Sequence, residues 1–85
     1  MNRYRINICC YNKIKANSEL VHSFVEAIIV DSIDEAVKHA QRLGEGALAD
    51  SLIGASTVVA QVCDRWNKIL NAHILCEGKA WKKVR

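Results

Sequence analysis

Proline is absent from this 85-residue chain, and glycine occurs only four times. Flexible linkers are rich in those residues, so their scarcity argues for one continuously structured domain spanning residues 1–85. No apolar run approaches the roughly 20 residues that a membrane-spanning helix needs. The basic N-terminal segment Met1-Asn2-Arg3-Tyr4-Arg5 precedes an apolar stretch too short and too polar for a secretory signal. There is no N-x-Ser/Thr glycosylation acceptor either. Together these absences give the expectation of a cytoplasmic protein whose four cysteines are reduced thiols.

Chemical motifs are missing as well. There is no G-K-[ST] phosphate loop and no H-E-x-x-H, and Gly44-Glu45-Gly46 lacks both the third glycine and the preceding strand of a dinucleotide loop. Cys9, Cys10, Cys63 and Cys76 form no C-x-x-C pair, and structural zinc sites draw paired ligands from tight turns. His22 and His73 would complete a metal set only if the fold happened to gather them. Cys63, Asp64 and His73 lie near one turn, but three common residue types make a weak nucleophile–base–acid signal. The carboxylate pair Asp34-Glu35 is explained by helix capping. The expectation is therefore no enzyme, no catalytic residue, no metal and no cofactor, with the cysteines serving as small hydrophobes on strands.

What is present is an unusually apolar small chain, 51% hydrophobic, with one well-marked helix. Asp31 to Gly44 reads D-S-I-D-E-A-V-K-H-A-Q-R-L-G. Ser32 and Glu35 make a capping box. Asp31, Asp34 and Glu35 lie near the positive end of the helix dipole, with Lys38, His39 and Arg42 toward the negative end. Ile33, Ala36, Val37, Ala40 and Leu43 form an apolar stripe at helical spacing. Gly44 occupies the position of a left-handed C-terminal residue.

Strand patterns flank this helix. Tyr4 to Tyr11 alternates, with Tyr4, Ile6, Ile8 and Cys10 on one face and Arg5, Asn7 and Cys9 on the other. Residues 12–19 read as a polar connecting turn, and Leu20 to Val30 as a second strand. Residues 45–55 are ambiguous, since Ala47, Leu48, Leu52 and Ile53 suit one or two helical turns. Ser56 to Cys63 is a β-branched third strand, Asp64 to Lys68 a hairpin turn, and Ile69 to Cys76 a fourth strand. A basic tail, 78–85, follows.

The order β-β-α-β-β predicts an α+β fold, a four-stranded mixed sheet with the helix packed on one face. The connection from strand two through the helix to strand three is expected to be a right-handed, parallel crossover. One helix covers one face, yet strands two, three and four are apolar on both sides. A sheet with one wet face alternates more cleanly. A second copy of the chain is therefore expected to bury the other face or an edge. The competing arrangement is a monomer in which residues 46–54 and the Trp81 tail fold over that face.

Charge is segregated along the sequence. Residues 1–18 and 78–85 carry eight bases and no acid, while residues 19–77 hold all nine acids against four bases. The expected topology gathers Lys13, Lys15, Arg42 and the 79–85 tail at one end. Such an end, with Tyr11 and Trp81 close by, suits a phosphate backbone and base stacking, or an acidic protein surface. Trp66 beside Arg65 sits in a turn, an unusual place for a large aromatic, and suits a partner anchor as well as a core residue. Trp81 has the same two readings.

The size, the missing catalytic motifs and the surplus apolar strand surface together suit a small non-enzymatic protein-interaction module. An adaptor or inhibitor acting as a homodimer is expected, of the kind that phages and mobile elements often encode. Its partner-binding candidates are Arg65, Trp66, Trp81, Lys82, Lys83, Arg85, Lys13 and Lys15. The alternative is a small nucleic-acid-binding protein using the basic end.

Overall fold

The computed structural model describes residues 1–14 and 17–85. Its elements are β1 (Asn2–Ile14), β2 (Asn17–Val30), α1 (Ile33–Ala49), β3 (Thr57–Cys63), β4 (Ile69–Cys76) and β5 (Lys82–Lys83). The fold is α+β, with one helix on an antiparallel sheet in the order β2-β1-β3-β4-β5.

Two expectations about the sheet need correction. The sheet has five strands rather than four, because the tail turns back at Gly78 and pairs Lys82 with Ile74 and Lys83 with His73. It is also wholly antiparallel rather than mixed. β2 and β3 do run in the same direction, as a crossover through a helix requires, but β1 lies between them and pairs with both. The reason lies in the side chains of β1. Ile6, Ile8 and Cys10 are fully buried, and a strand that apolar gains most from a neighbour on each side.

The expected turn over residues 12–19 is shorter than the sequence suggested. β1 continues to Ile14 and β2 begins at Asn17, so the polar residues Asn12, Lys13, Ser18 and Glu19 are paired in a ladder. At about 3.3 Å per residue, strands of 13 and 14 residues account for the 42 Å long axis of the molecule. β3 pairs with β1 only from Arg5 to Tyr11, so the far part of the β1–β2 hairpin extends beyond the rest of the sheet.

The helix begins where the sequence marks it. Ser32 is extended and its hydroxyl accepts from the Glu35 backbone N–H at 3.3 Å. It does not stop at Gly44, however, but runs on to Ala49. Asp50 ends it, its backbone N–H bonded to the Ala47 carbonyl and its carboxylate accepting from the Leu52 N–H at 2.9 Å. Residues 45–49 are thus helical and 50–54 form a turn closed by Gly54 at φ 70°.

Gly44 has a packing role instead. A Cβ there would meet the Trp81 ring at 2.7 Å and Val58 at 3.2 Å, so the indole lies where any other residue would project a side chain. Ala36, Ala40, Gly44 and Ala47 form a ridge of small buried residues that lets the helix sit close to Ile6, Ile8, Cys10, Val58, Ala60 and Val62. Ile33, Val37, Leu43 and Leu48 pack around that ridge.

Candidate functional site

Strand alternation divides the side chains between two faces. Toward the helix point Ile6, Ile8 and Cys10, with their ladder partners Val62, Ala60 and Val58. Away from it, on the open face, point Arg3, Arg5, Asn7 and Cys9 of β1, Val25, Ala27 and Ile29 of β2, Val59, Gln61 and Cys63 of β3, and Ala72, Ile74 and Cys76 of β4. The Asn7 amide joins two strands on this face, donating at 3.5 Å to Gln61 and to the Cys63 sulfur. Val25 and Ile29 remain more than half exposed. Neither of the two segments expected to cover this face in a monomer does so. Trp81 and the 46–54 region pack on the helix side, where Leu48, Ile53 and Trp81 join the core.

The two outer edges of the sheet differ sharply. At one, β5 is two lysines long, short and charged as protected edges are. At the other, β2 is 14 residues long and exposed except at Phe24, Glu26, Ile28 and Val30, which are half-buried, with no lysine, arginine or proline between Asn17 and Val30. Its titratable side chains are Glu19, His22 and Glu26. His22 lies 5.7 Å from Phe24 ring to ring, and Glu26 bonds His39 of the helix at 2.9 Å.

The anticipated site residues do not form one cluster. Lys13 stands at the far part of the hairpin, paired with Ser18, and Lys15 lies outside the described residues. Arg42 is exposed on the helix. Lys82, Lys83 and Arg85 run back along β4 as far as Ala72, which draws the tail away from the end where it was expected to gather. Trp81 is half-buried, its ring against Gly44 and its indole N–H donating to Glu45 at 3.0 Å. That ring is occupied within the chain.

Arg65 and Trp66 fare differently. They sit in the β3–β4 turn, which Asp64 organises by accepting from the backbone N–H groups of Trp66 and Lys68, both at 2.9 Å. Asn67 supplies the left-handed residue at φ 68°. Trp66 is 75% exposed, and the Arg65 guanidinium lies 4.7 Å from its ring centroid. The turn abuts the start of β1, because Arg5 pairs with Cys63. A groove of about 570 Å³ results, lined by Arg3, Tyr4, Asp64, Arg65 and Trp66 among others. A shallower dent of about 130 Å³ beside it shares Arg3, Tyr4 and Arg65, and adds Arg5 and Ala27. In the sequence Arg3 and Arg5 stand out only as part of the basic N-terminal segment. Their odd-numbered alternation with Asn7 was the available signal that they share a face.

The nucleophile set considered from sequence does not assemble. Cys63 is on the open face, whereas His73 pairs with Ala60 and faces the helix side. Burial, and then Asp64 next to it, push the Cys63 thiol up, against a smaller pull from Arg5. Burial, followed by the Cys9 thiol, also raises Cys10. Neither is a ready thiolate. Among the described residues no group of three or more His, Cys, Asp or Glu side chains converges to hold a metal ion, and no helix is long and apolar enough to cross a membrane. No family model, curated protein or solved structure matches this chain.

Proposed function

We propose that this protein is a small interaction module of the adaptor type that works as a homodimer joined through β2. The observation carrying this reading is the contrast between the two sheet edges. An exposed strand of this length, without lysine, arginine or proline and with Glu19, Glu26 and a bulge at Val21 as its guards, is a template for another strand, whereas the opposite edge is only two lysines long. The chemistry of β2 favours its own copy as the occupant. Antiparallel pairing about a two-fold axis at Phe24 sets the two Phe24 rings side by side and places His22 opposite Glu26 twice. No two acids face each other in that register. The resulting sheet is continuous across both protomers and leaves the open faces free for a target. Four free thiols suit the reducing cytoplasm as its place of action.

Light scattering coupled to size exclusion tests the reading. A dimer is expected at micromolar concentration, and Val25→Lys, which puts a charge on the free edge, is expected to give a folded monomer. A wild-type monomer under those conditions refutes the proposal, as does a Val25→Lys protein that remains fully dimeric.

A further inference from the structure

We infer that the groove between the start of β1 and the β3–β4 turn binds single-stranded nucleic acid, with Arg3, Arg5 and Arg65 holding phosphates and Trp66 stacking a base. This site is distinct from the basic end that the sequence suggested, and it does not depend on the dimer.

Three arginines from two separate segments converge there. Arg3 and Arg65 line both the groove and the adjoining dent, and Arg5 lines the dent. Among the described residues none of the three is in a salt bridge, the ion pair present being His39–Glu26. Asp64 is the acid of the groove, and one of its carboxylate oxygens is already shared by two backbone N–H groups of the turn. Its charge is therefore partly satisfied. Asp31, whose carbonyl accepts from the groove residue Asn2 at 3.3 Å, and Asp34 and Glu35 in the first turn of the helix are exposed acids at the same end of the molecule but do not line the groove. The groove and its adjoining dent thus set three guanidinium groups against one partly satisfied carboxylate, and the complement of that surface is an anion.

The residue types narrow the kind of anion. Guanidinium groups bind phosphate oxygens through a planar fork of donors. Arg3 and Arg5 are two residues apart on one face of a strand, so their Cα atoms stand roughly 7 Å apart, close to the separation of neighbouring phosphates in an extended single strand. Trp66 presents an exposed indole at the mouth of the groove, and base–aromatic stacking contributes about 1–3 kcal/mol per base. Arg65 against one side of that ring fixes its orientation and leaves the rest of the ring to solvent. An acidic peptide would use the arginines but gain little from a flat, exposed indole, so the tryptophan favours nucleic acid.

The test is anisotropy of a fluorescein-labelled oligothymidylate titrated with the full chain across a range of salt. With three phosphate contacts, log affinity should fall with log salt at a slope of about −2, at roughly −0.7 per contact on single strands. Arg3→Ala combined with Arg65→Ala should weaken binding at least tenfold and flatten that slope. Trp66→Ala should weaken binding about tenfold, while Trp66→Phe retains most of it. Lys82→Ala with Lys83→Ala should stay within twofold of the parent. Arg65→Gln alone provides a milder variant, and far-ultraviolet circular dichroism confirms that each protein is folded. Absence of binding at low salt overturns the inference, and so does a loss confined to the Lys82 and Lys83 variant. Equal competition by a polyglutamate peptide, with Trp66→Ala unchanged, would assign the arginines to an acidic protein instead. Light scattering on the same samples reports the dimer separately, so failure of one proposal does not imply failure of the other.

Discussion

Gly44 shows how much one position depends on its distant neighbours. Glycine costs a helix interior about 1 kcal/mol relative to alanine, so an isolated helix would gain from Gly44→Ala. Here the added methyl would lie 2.7 Å from Trp81 and 3.2 Å from Val58, and overpacking typically costs about 1–3 kcal/mol. The ring is packed against the core and its N–H donates to Glu45, so moving it aside gives up both contacts. Gly44→Ala should therefore lower stability by about 1–2 kcal/mol in urea unfolding. With the ring removed by Trp81→Ala, the same change should become stabilising by about 0.5–1 kcal/mol. That reversal of sign is the diagnostic outcome. If Gly44→Ala stabilises both backgrounds, the contact is not a constraint. From sequence, the glycine was visible and its contact was not, since residue 81 is far along the chain and its two possible roles looked alike.

At the scale of elements, β5 turns a tail into an edge strand. Backbone bonds from Val84 and Arg85 to the Ala72 carbonyl, and from Ala72 to the Arg85 carbonyl, extend the attachment beyond the two paired lysines. That docking brings Lys83 opposite His73. Burial chiefly, and Lys83 secondarily, lower the His73 pKa from its ordinary value of 6.5. The sign follows from linkage. Well above pH 6.5 the imidazole is neutral in both states and costs nothing. As the pH falls below that value the unfolded chain takes up the proton first, so the native state loses stability until the native imidazole is itself protonated. Stability should thus decline as the pH falls through about 6.5, and His73→Gln should reduce that decline. An unchanged pH profile in the variant would show that His73 is not coupled to folding. The helix and all four main strands were visible in the periodicity. The longer hairpin was not, because Asn12, Lys13, Ser18 and Glu19 pair through backbone groups that carry no side-chain signature.

For the whole molecule the decisive feature is a division of side chains by face as well as by end. The helix rests on one side of the sheet, while Arg3, Arg5, Cys9, Val25 and Ile29 share the other. Cysteine labelling tests this division at the neighbouring pair Cys9 and Cys10, which point to opposite faces, while Cys63 is covered although it lies on the open face. Cys9 and Cys76 are half-buried on the open face, whereas Cys10 and Cys63 are fully covered, with thiols raised by burial. In the native protein iodoacetamide should modify Cys9 and Cys76 well before Cys10 and Cys63, as followed by peptide mass spectrometry. Labelling of Cys10 as fast as Cys9 would contradict the assignment of faces. The same measurement separates two ways of pairing. Dimers joined edge to edge through β2 keep Cys9 reactive, and dimers stacked through the open faces protect it.

By itself the sequence determined the local structure of this protein. Alternation at period two, the apolar stripe at period 3.6 and the Ser32–Glu35 cap are set by neighbours within a few residues, so they are written in adjacent letters. It also determined that one helix leaves apolar strand surface uncovered. Only the tertiary structure decided which strands are neighbours, that Gly44 continues a helix beneath Trp81, and that Arg3, Arg65 and Trp66 border one groove with Arg5 in the dent beside it. Those outcomes depend on contacts between residues tens of positions apart, chosen by burial of β1 between two partners, and no local pattern encodes that choice.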